Sequence, residues 1–400
     1  MCVAALLAAL GCAREGPQEP SDLLRGVESA DIGAVKGQAV LSWRLSETPR
    51  LRVGGDVDDP AHHFVEVVDA EVLPGGSLLV ADGQSGVVRR YGPQGDFVGQ
   101  LGAVGEGPGE FRYPASIALI SGDSLAVWDQ ALWRVSVFGE GGFVRGERYD
   151  PTAAGLYPME GMWPAELRLA RDGTRLVRLI SKDADKGGDV GRASPRAGLG
   201  IHLVGAPAPQ LLSTFPSPEE VEVEAPWGTT MLVPPLSGVP AMAYYSPDNR
   251  ACFGHQSTRE VLCTYEDGRR AGLRWTDDPR LVDPMDSAIL GWRSATVAEL
   301  GGKVGDRIAE EVVAQVPIPA LHPAFGNLLF DSLGYLWVDL GPVDGSLLGR
   351  EYLVLDGALG VAGRLKIPNM KLLRIGADYL LGIQSNALGV QEVVVFDLLR

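Results

Sequence analysis

The sequence predicts an all-β fold built from repeated antiparallel units, and three observations carry that prediction. A pattern recurs at a spacing of 47 residues: Gly55 with Gly102, Phe64 with Phe111, Asp82 with Asp129, and Tyr91 with Phe138. A period of this length marks a propeller, solenoid or array. Each copy divides into four short apolar runs separated by Gly, Pro, Asn and Asp, the signature of antiparallel strands joined by tight turns. Four such strands per repeat make one blade of a β-propeller. The third observation is composition: 46% hydrophobic and 22% charged residues, with 52 Gly and 28 Pro, describe a turn-rich globular chain. One large domain is therefore expected over residues 38–400.

At the N-terminus, the apolar run Val3-Ala4-Ala5-Leu6-Leu7-Ala8-Ala9-Leu10 is too short to span a bilayer and suits an export segment. It closes on Ala9-Leu10-Gly11-Cys12, which resembles the lipobox of bacterial lipoproteins. The resemblance implies that residues 1–12 are a lipoprotein signal, that Cys12 is acylated, and that the protein is held at a membrane of the cell envelope, in the periplasm or at the surface. Ala9 stands where Leu is commonest and no Lys or Arg precedes the run, so a plain secretory signal or a buried helix stays open. Residues 13–37 are expected to be a flexible tether.

The first repeat reads as strands at 65–73, 77–81, 87–91 and 96–101, and the second at 115–120, 124–128, 133–138 and 143–148. Between them lies Gly102-Ala103-Val104-Gly105-Glu106-Gly107-Pro108-Gly109-Glu110-Phe111. It is not a phosphate loop, because no Gly-Lys-Ser/Thr follows and it opens a strand instead of a helix. Several of its glycines are expected at positive φ. Asp82 and Asp129 close the second strand of each copy and read as turn chemistry.

Gly107-Pro108-Gly109-Glu110-Phe111, Pro114, Leu125-Ala126-Val127-Trp128-Asp129, Arg134-Val135-Ser136-Val137-Phe138 and Gly141-Gly142-Phe143 together resemble the NHL-like repeat of six-bladed β-propellers. The match covers residues 51–149 and thins afterwards. It implies a six-bladed fold, and that family uses the fold for many purposes. A third blade is read at 166–169, 175–181, 200–205 and 210–215. A fourth is read at 240–245, 250–254, 260–265 and 270–275, with a turn Tyr245-Ser246-Pro247-Asp248-Asn249 that resembles the Ser-Pro-Asp-Gly turn of TolB-like propellers.

From about 283 to 315 the period changes. Met285, Ile289, Trp292, Val297 and Leu300, then Val304, Ile308 and Val312 beyond a Gly301-Gly302 break, suit amphipathic helices. This is a helical insertion between blades 4 and 5. Strands resume at 327–331, 335–338, 351–355 and 362–367. The final three, at 370–375, 379–384 and 390–397, leave the last blade one strand short. Residues 50–55 align at 47 residues with the outer strand 97–102, so the N-terminal strand is expected to close the ring on the C-terminal blade.

Of the four cysteines, Cys252 and Cys263 flank a hairpin over 250–265 whose tip lies midway between them. A symmetric hairpin sets them opposite each other, as a disulfide or as two buried thiols. The five histidines show no metal-binding motif, and no Gly-x-Ser-x-Gly elbow is present.

Propellers bind ligands at one end of the central channel. The candidates by repeat position are Glu66, Asp69 and Glu71 on the first inner strand, Tyr113 and Ser116 on the second, and Asn327 on the fifth. Carboxylate and amide oxygens of this kind can hold Ca²⁺. Trp163, within Tyr157-Pro158-Met159-Glu160-Gly161-Met162-Trp163-Pro164, is expected in an exposed loop. A net charge of −16 opposes a nucleic-acid partner, which needs clustered Lys and Arg. The expected function is a binding or scaffolding module for a protein or small ligand. The competing class is a hydrolase or lyase with a divalent metal at the channel.

Overall fold

A computed structural model describes residues 22–32, 41–120, 124–149, 162–170, 172–181, 196–202, 210–216, 221–228, 230–233, 240–255, 259–275, 287–316, 325–342, 349–386 and 389–400. The chain is an all-β propeller of antiparallel meanders. The first sheet runs Val67–Val72, Leu78–Asp82, Val87–Tyr91, Phe97–Leu101, and the second Pro114–Ile120, Ser124–Asp129, Arg134–Gly139, Gly142–Arg148. The third holds Met162–Leu169, Arg175–Ser181, Arg196–His202 and Gln210–Pro216. The fourth holds Pro240–Tyr245, Arg250–His255, Glu260–Thr264 and Arg270–Arg274. The fifth holds Leu328–Phe330, Leu336–Pro342, Gly349–Leu355 and Val361–Pro368. The closing sheet has Lys371–Ile375, Tyr379–Ser385 and Gln391–Leu399.

The N-terminal strand Leu51–Gly54 completes that closing sheet, antiparallel to Gln391–Leu399, with Leu51 opposite Val395 and Gly54 opposite Glu392. A second short strand, Arg44–Leu45, pairs farther along the same partner, opposite Leu399 and Leu398. Two ion pairs reinforce the seam, Arg52 with Glu392 and Arg50 with Asp397 at 2.9 Å. Leu51 and Val53 are buried among Leu381, Val393 and Val395, while Arg52 between them is exposed. That alternation is the period-2 pattern of a strand with one covered face.

Apolar residues between neighbouring sheets form the core. Leu79, Ala81 and Val88 of the first sheet meet Ile117, Val127 and Phe138 of the second. Leu336, Val338 and Leu353 of the fifth meet Cys252, Val261 and Leu273 of the fourth. Cys252 and Cys263 are direct cross-strand partners, wholly buried and joined as a disulfide.

In the glycine-rich link, Ala103–Val104 and Glu110–Phe111 form a small parallel pair. Gly102 and Gly109 take φ of +71° and +75°, and a Cβ on Gly102 would lie 2.6 Å from the Phe111 ring. The link needs glycine there for both conformation and space.

Several expectations are corrected. Part of the segment read as a tether is docked: Asp22–Leu24 is a turn of 3₁₀ helix, and Ser29–Asp31 adds a parallel fifth strand to the fourth sheet beside Arg270–Arg274. Leu23, Leu24 and Ile32 are buried, which supplies the driving force that a purely polar tether lacks. The Gly301-Gly302 break is not a break, because α1 (Ser287–Val304) runs through it to Gly305. There φ is +89°, the Gly305 N–H closes on the Gly301 carbonyl, and α2 (Asp306–Val313) begins. A hairpin of Val221–Glu224 and Thr230–Val233 was not anticipated, and its Val223 packs on Val312 and Val316 beside the helices. Trp163 lies in the first strand of the third sheet, opposite Ile180, and not in a loop. Cys12 falls outside the described residues. Among those residues, no helix is long and apolar enough to cross a membrane.

Candidate functional site

The first strands of the first to fifth sheets and of the closing sheet border a central channel of about 740 Å³. Glu66, Asp69, Glu71, Tyr113, Ser116 and Asn327 all line it, so the repeat positions singled out in the sequence converge there.

A shared irregularity decides which side chains enter. Four of the inner strands shift register, between Val67 and Asp69, between Pro114 and Ser116, between Pro164 and Glu166, and between Leu372 and Arg374. One extra residue at this step re-aims the side chain that follows. The bulge thus sets Asp69, Ser116 and Arg374 at one level of the channel.

Asp69 is the hub of that level. Its Oδ2 accepts from the Ile117 N–H at 2.8 Å, the Ser116 hydroxyl at 3.3 Å and the Arg374 Nη2 at 2.8 Å, while Oδ1 accepts from the Ala70 N–H at 2.9 Å. Arg374 Nε donates to Glu71 Oε2 at 3.0 Å, and its other donors reach the carbonyls of Ile117 and Leu373. The Ser116 oxygen in turn accepts the Leu169 N–H at 3.3 Å. One network therefore ties the closing, first, second and third sheets. Burial by itself would favour a neutral guanidine, but the charges of Asp69 and Glu71 outweigh it and raise the Arg374 pKa above its ordinary value.

Of the oxygens expected to hold Ca²⁺, those of Asp69 and Glu71 thus meet a guanidinium. Two carboxylates at this level already have a cationic partner and several N–H donors, and a hard dication would have to displace them. Among the described residues, no group of three His, Cys, Asp or Glu side chains converges as a metal-ligand set.

The two ends of the channel differ. Where the inner strands begin, Glu66 Oε2 accepts from the Tyr113 hydroxyl at 3.0 Å, and Asn327 lines the same end with its Oδ1 bonded to the Leu328 N–H. Asp82 holds this entrance from beneath: it is fully buried and accepts from the N–H groups of Val65 and Glu66 and from Arg89. Asp129 does the same for Arg112 and Tyr113. Both are scaffold groups, as their turn positions indicated. The opposite end carries Tyr244, Tyr245 and Phe330. Burial, with the Asp172 carboxylate second, pushes the Tyr244 phenol up to about 12, so it stays neutral.

Sequence reading missed Arg374. The available signal was its place in the last inner strand, at the step where the first two copies carry Asp69 and Ser116.

No protein-family model matches the chain, and no curated protein matches it. Solved structures resemble it over most of their length. A member of the DUF4221 family from Bacteroides vulgatus is 11% identical, with 90% of this chain and 99% of that chain covered and a TM-score of 0.49. A putative exported protein from Bacteroides fragilis is 12% identical, covering 93% and 98%, with a TM-score of 0.44. Virginiamycin B lyase from Staphylococcus aureus is 8% identical, covering 88% of each chain, with a TM-score of 0.37.

Proposed function

We propose that this protein is an exported, lipid-anchored, six-bladed β-propeller of the NHL-like type. It acts as a binding module that takes a small polar ligand at the Glu66–Tyr113 end of its channel. The six-blade count is supported by the inner strands that border the channel, the last of them in a sheet completed by Leu51–Gly54. The apolar run ending at Cys12 and the Cys252–Cys263 bridge support an envelope location, since disulfides persist in oxidising compartments.

The observation that carries the binding reading is the division of labour among the channel acids. Asp69 and Glu71 are both ion-paired with Arg374, whereas the Glu66 carboxylate is bonded, among the described residues, to the Tyr113 hydroxyl. A carboxylate beside a phenol at a channel mouth offers acceptors to a ligand's hydroxyl or amine groups. The channel volume falls within the ~300–1,000 Å³ typical of small-molecule sites.

A thermal-shift screen of polar metabolites against the mature protein, followed by calorimetry, tests this. Ligands found should lose at least tenfold in affinity in Glu66→Gln and keep it in the remote Gln94→Ala. Equal affinity for both variants would overturn the site. A stoichiometric divalent ion retained through purification, with bond cleavage dependent on it, would replace binding by hydrolase or lyase chemistry.

A further inference from the structure

We infer that residues 22–32 are a clip that holds the outer edge of the fourth sheet close to the membrane, fixing which side of the propeller faces the lipid surface. The inference rests on the proposal above that Cys12 carries the anchor.

Five observations make the clip a built feature. Leu23 and Leu24 are buried against Phe253 and Leu262 of the fourth sheet. Ser29–Asp31 extends that sheet in parallel, with Ser29 opposite Gly272 and Asp31 opposite Arg274. The seam is closed by the Gly272 N–H on the Glu28 carbonyl at 2.8 Å and the Ile32 N–H on the Arg274 carbonyl at 2.7 Å. Gly272 makes room: a Cβ there would lie 2.6 Å from Leu24 Cδ2 and 3.1 Å from Ser29 Cβ. Beyond the strand, Ile32 enters the core beside Trp275 and Phe325.

Chain length turns the clip into an orientation device. Asp22 lies ten positions after Cys12, a reach of at most about 36 Å fully extended. With the clip released, the next paired segment is Arg44–Leu45, 32 residues from Cys12 and about 115 Å away at full extension. A docked clip keeps the fourth sheet within the shorter radius, and a free one lets any side of the ring approach the bilayer.

The test uses full-length acylated protein in phosphatidylethanolamine–phosphatidylglycerol vesicles that carry an acceptor-labelled lipid. A donor fluorophore is placed on Asp267→Cys in the outer turn of the fourth sheet. A second protein carries it on Gln94→Cys in the matching turn of the first, with two sheets between them either way round the ring. Energy transfer should be several-fold stronger from position 267 than from 94, and Leu24→Asp should abolish the difference. Gly272→Val should do the same; because it alters the sheet itself, Leu24→Asp, on the clip alone, is the deciding variant. Equal transfer from both positions in acylated protein overturns the clip and leaves the anchor intact. An N-terminal peptide without acyl mass, and no vesicle binding, overturns the anchor reading and the clip with it.

Discussion

Arg374 and Asp69 lie 305 residues apart in sequence and 2.8 Å apart at the channel wall, joining the last inner strand to the first. The ring is therefore closed twice: at its periphery by the N-terminal strand Leu51–Gly54, and at its centre by an ion pair.

Replacing Arg374 with Met should destabilise the protein by about 3 kcal/mol, because the buried carboxylates of Asp69 and Glu71 then lose the cation they share. The lower end of the usual range applies, since a quarter of the arginine side chain is exposed. Combining it with Asp69→Asn and Glu71→Gln should recover much of the loss. Urea unfolding of the single and triple variants checks this, and an Arg374→Met protein as stable as the parent would refute the central closure.

Removing residues 1–55 should lower the unfolding midpoint of the whole domain in a single cooperative transition, since the deletion strips the outer strand from the closing sheet. Calorimetry distinguishes this from loss of a tail, which would leave the midpoint where it was.

His62 sits at the seam with Nδ1 2.8 Å from Asp59 Oδ2 and Nε2 3.1 Å from the Gly95 carbonyl. Both partners are acceptors, so the ring satisfies both only when it is doubly protonated. Burial opposes the charge, but these bonds and the Asp59 and Asp56 carboxylates prevail and raise the pKa above its ordinary 6.5. The sign follows: with the folded value above the unfolded one, the contribution is complete below pH 6.5 and is lost as pH rises through the folded value. NMR titration should place His62 above 6.5, and His62→Gln should flatten stability over that window. A midpoint at or below 6.5 would remove the effect.

Gly102→Ala should cost about 3 kcal/mol, from positive-φ strain plus collision with the Phe111 ring. Gly75→Ala, at φ +85° with open space where its Cβ would stand, should cost only about 1 kcal/mol. Equal losses in chemical denaturation would show that space in the glycine link is immaterial.

Cys252→Ala with Cys263→Ala should lower stability by about 2 kcal/mol, the scale expected for a cross-link closing a short loop. Absence of a two-hydrogen mass difference between oxidised and reduced wild-type protein would contradict the bridge itself.

The sequence by itself determined the unit of this fold. Strands of a few residues and the turns between them are set by neighbours in the chain, so a 47-residue repeat read twice was enough to assign the all-β propeller and to align residues 50–55 with an outer strand. It also placed Glu66, Asp69, Tyr113, Ser116 and Asn327 by repeat position. Tertiary structure alone decided what those residues do. Whether Asp69 and Glu71 stand as open oxygens or as partners of a cation depends on Arg374, and its place opposite them is fixed by ring closure and a bulge, not by any local motif. The same holds for residues 22–32: a short stretch of mixed polar and apolar residues reads locally as part of a tether, and only the apolar edge of a sheet more than 200 residues away makes Leu23 and Leu24 a point of attachment. Local propensity acts through the nearest few residues, whereas burial and charge pairing act between whatever the closed ring brings together.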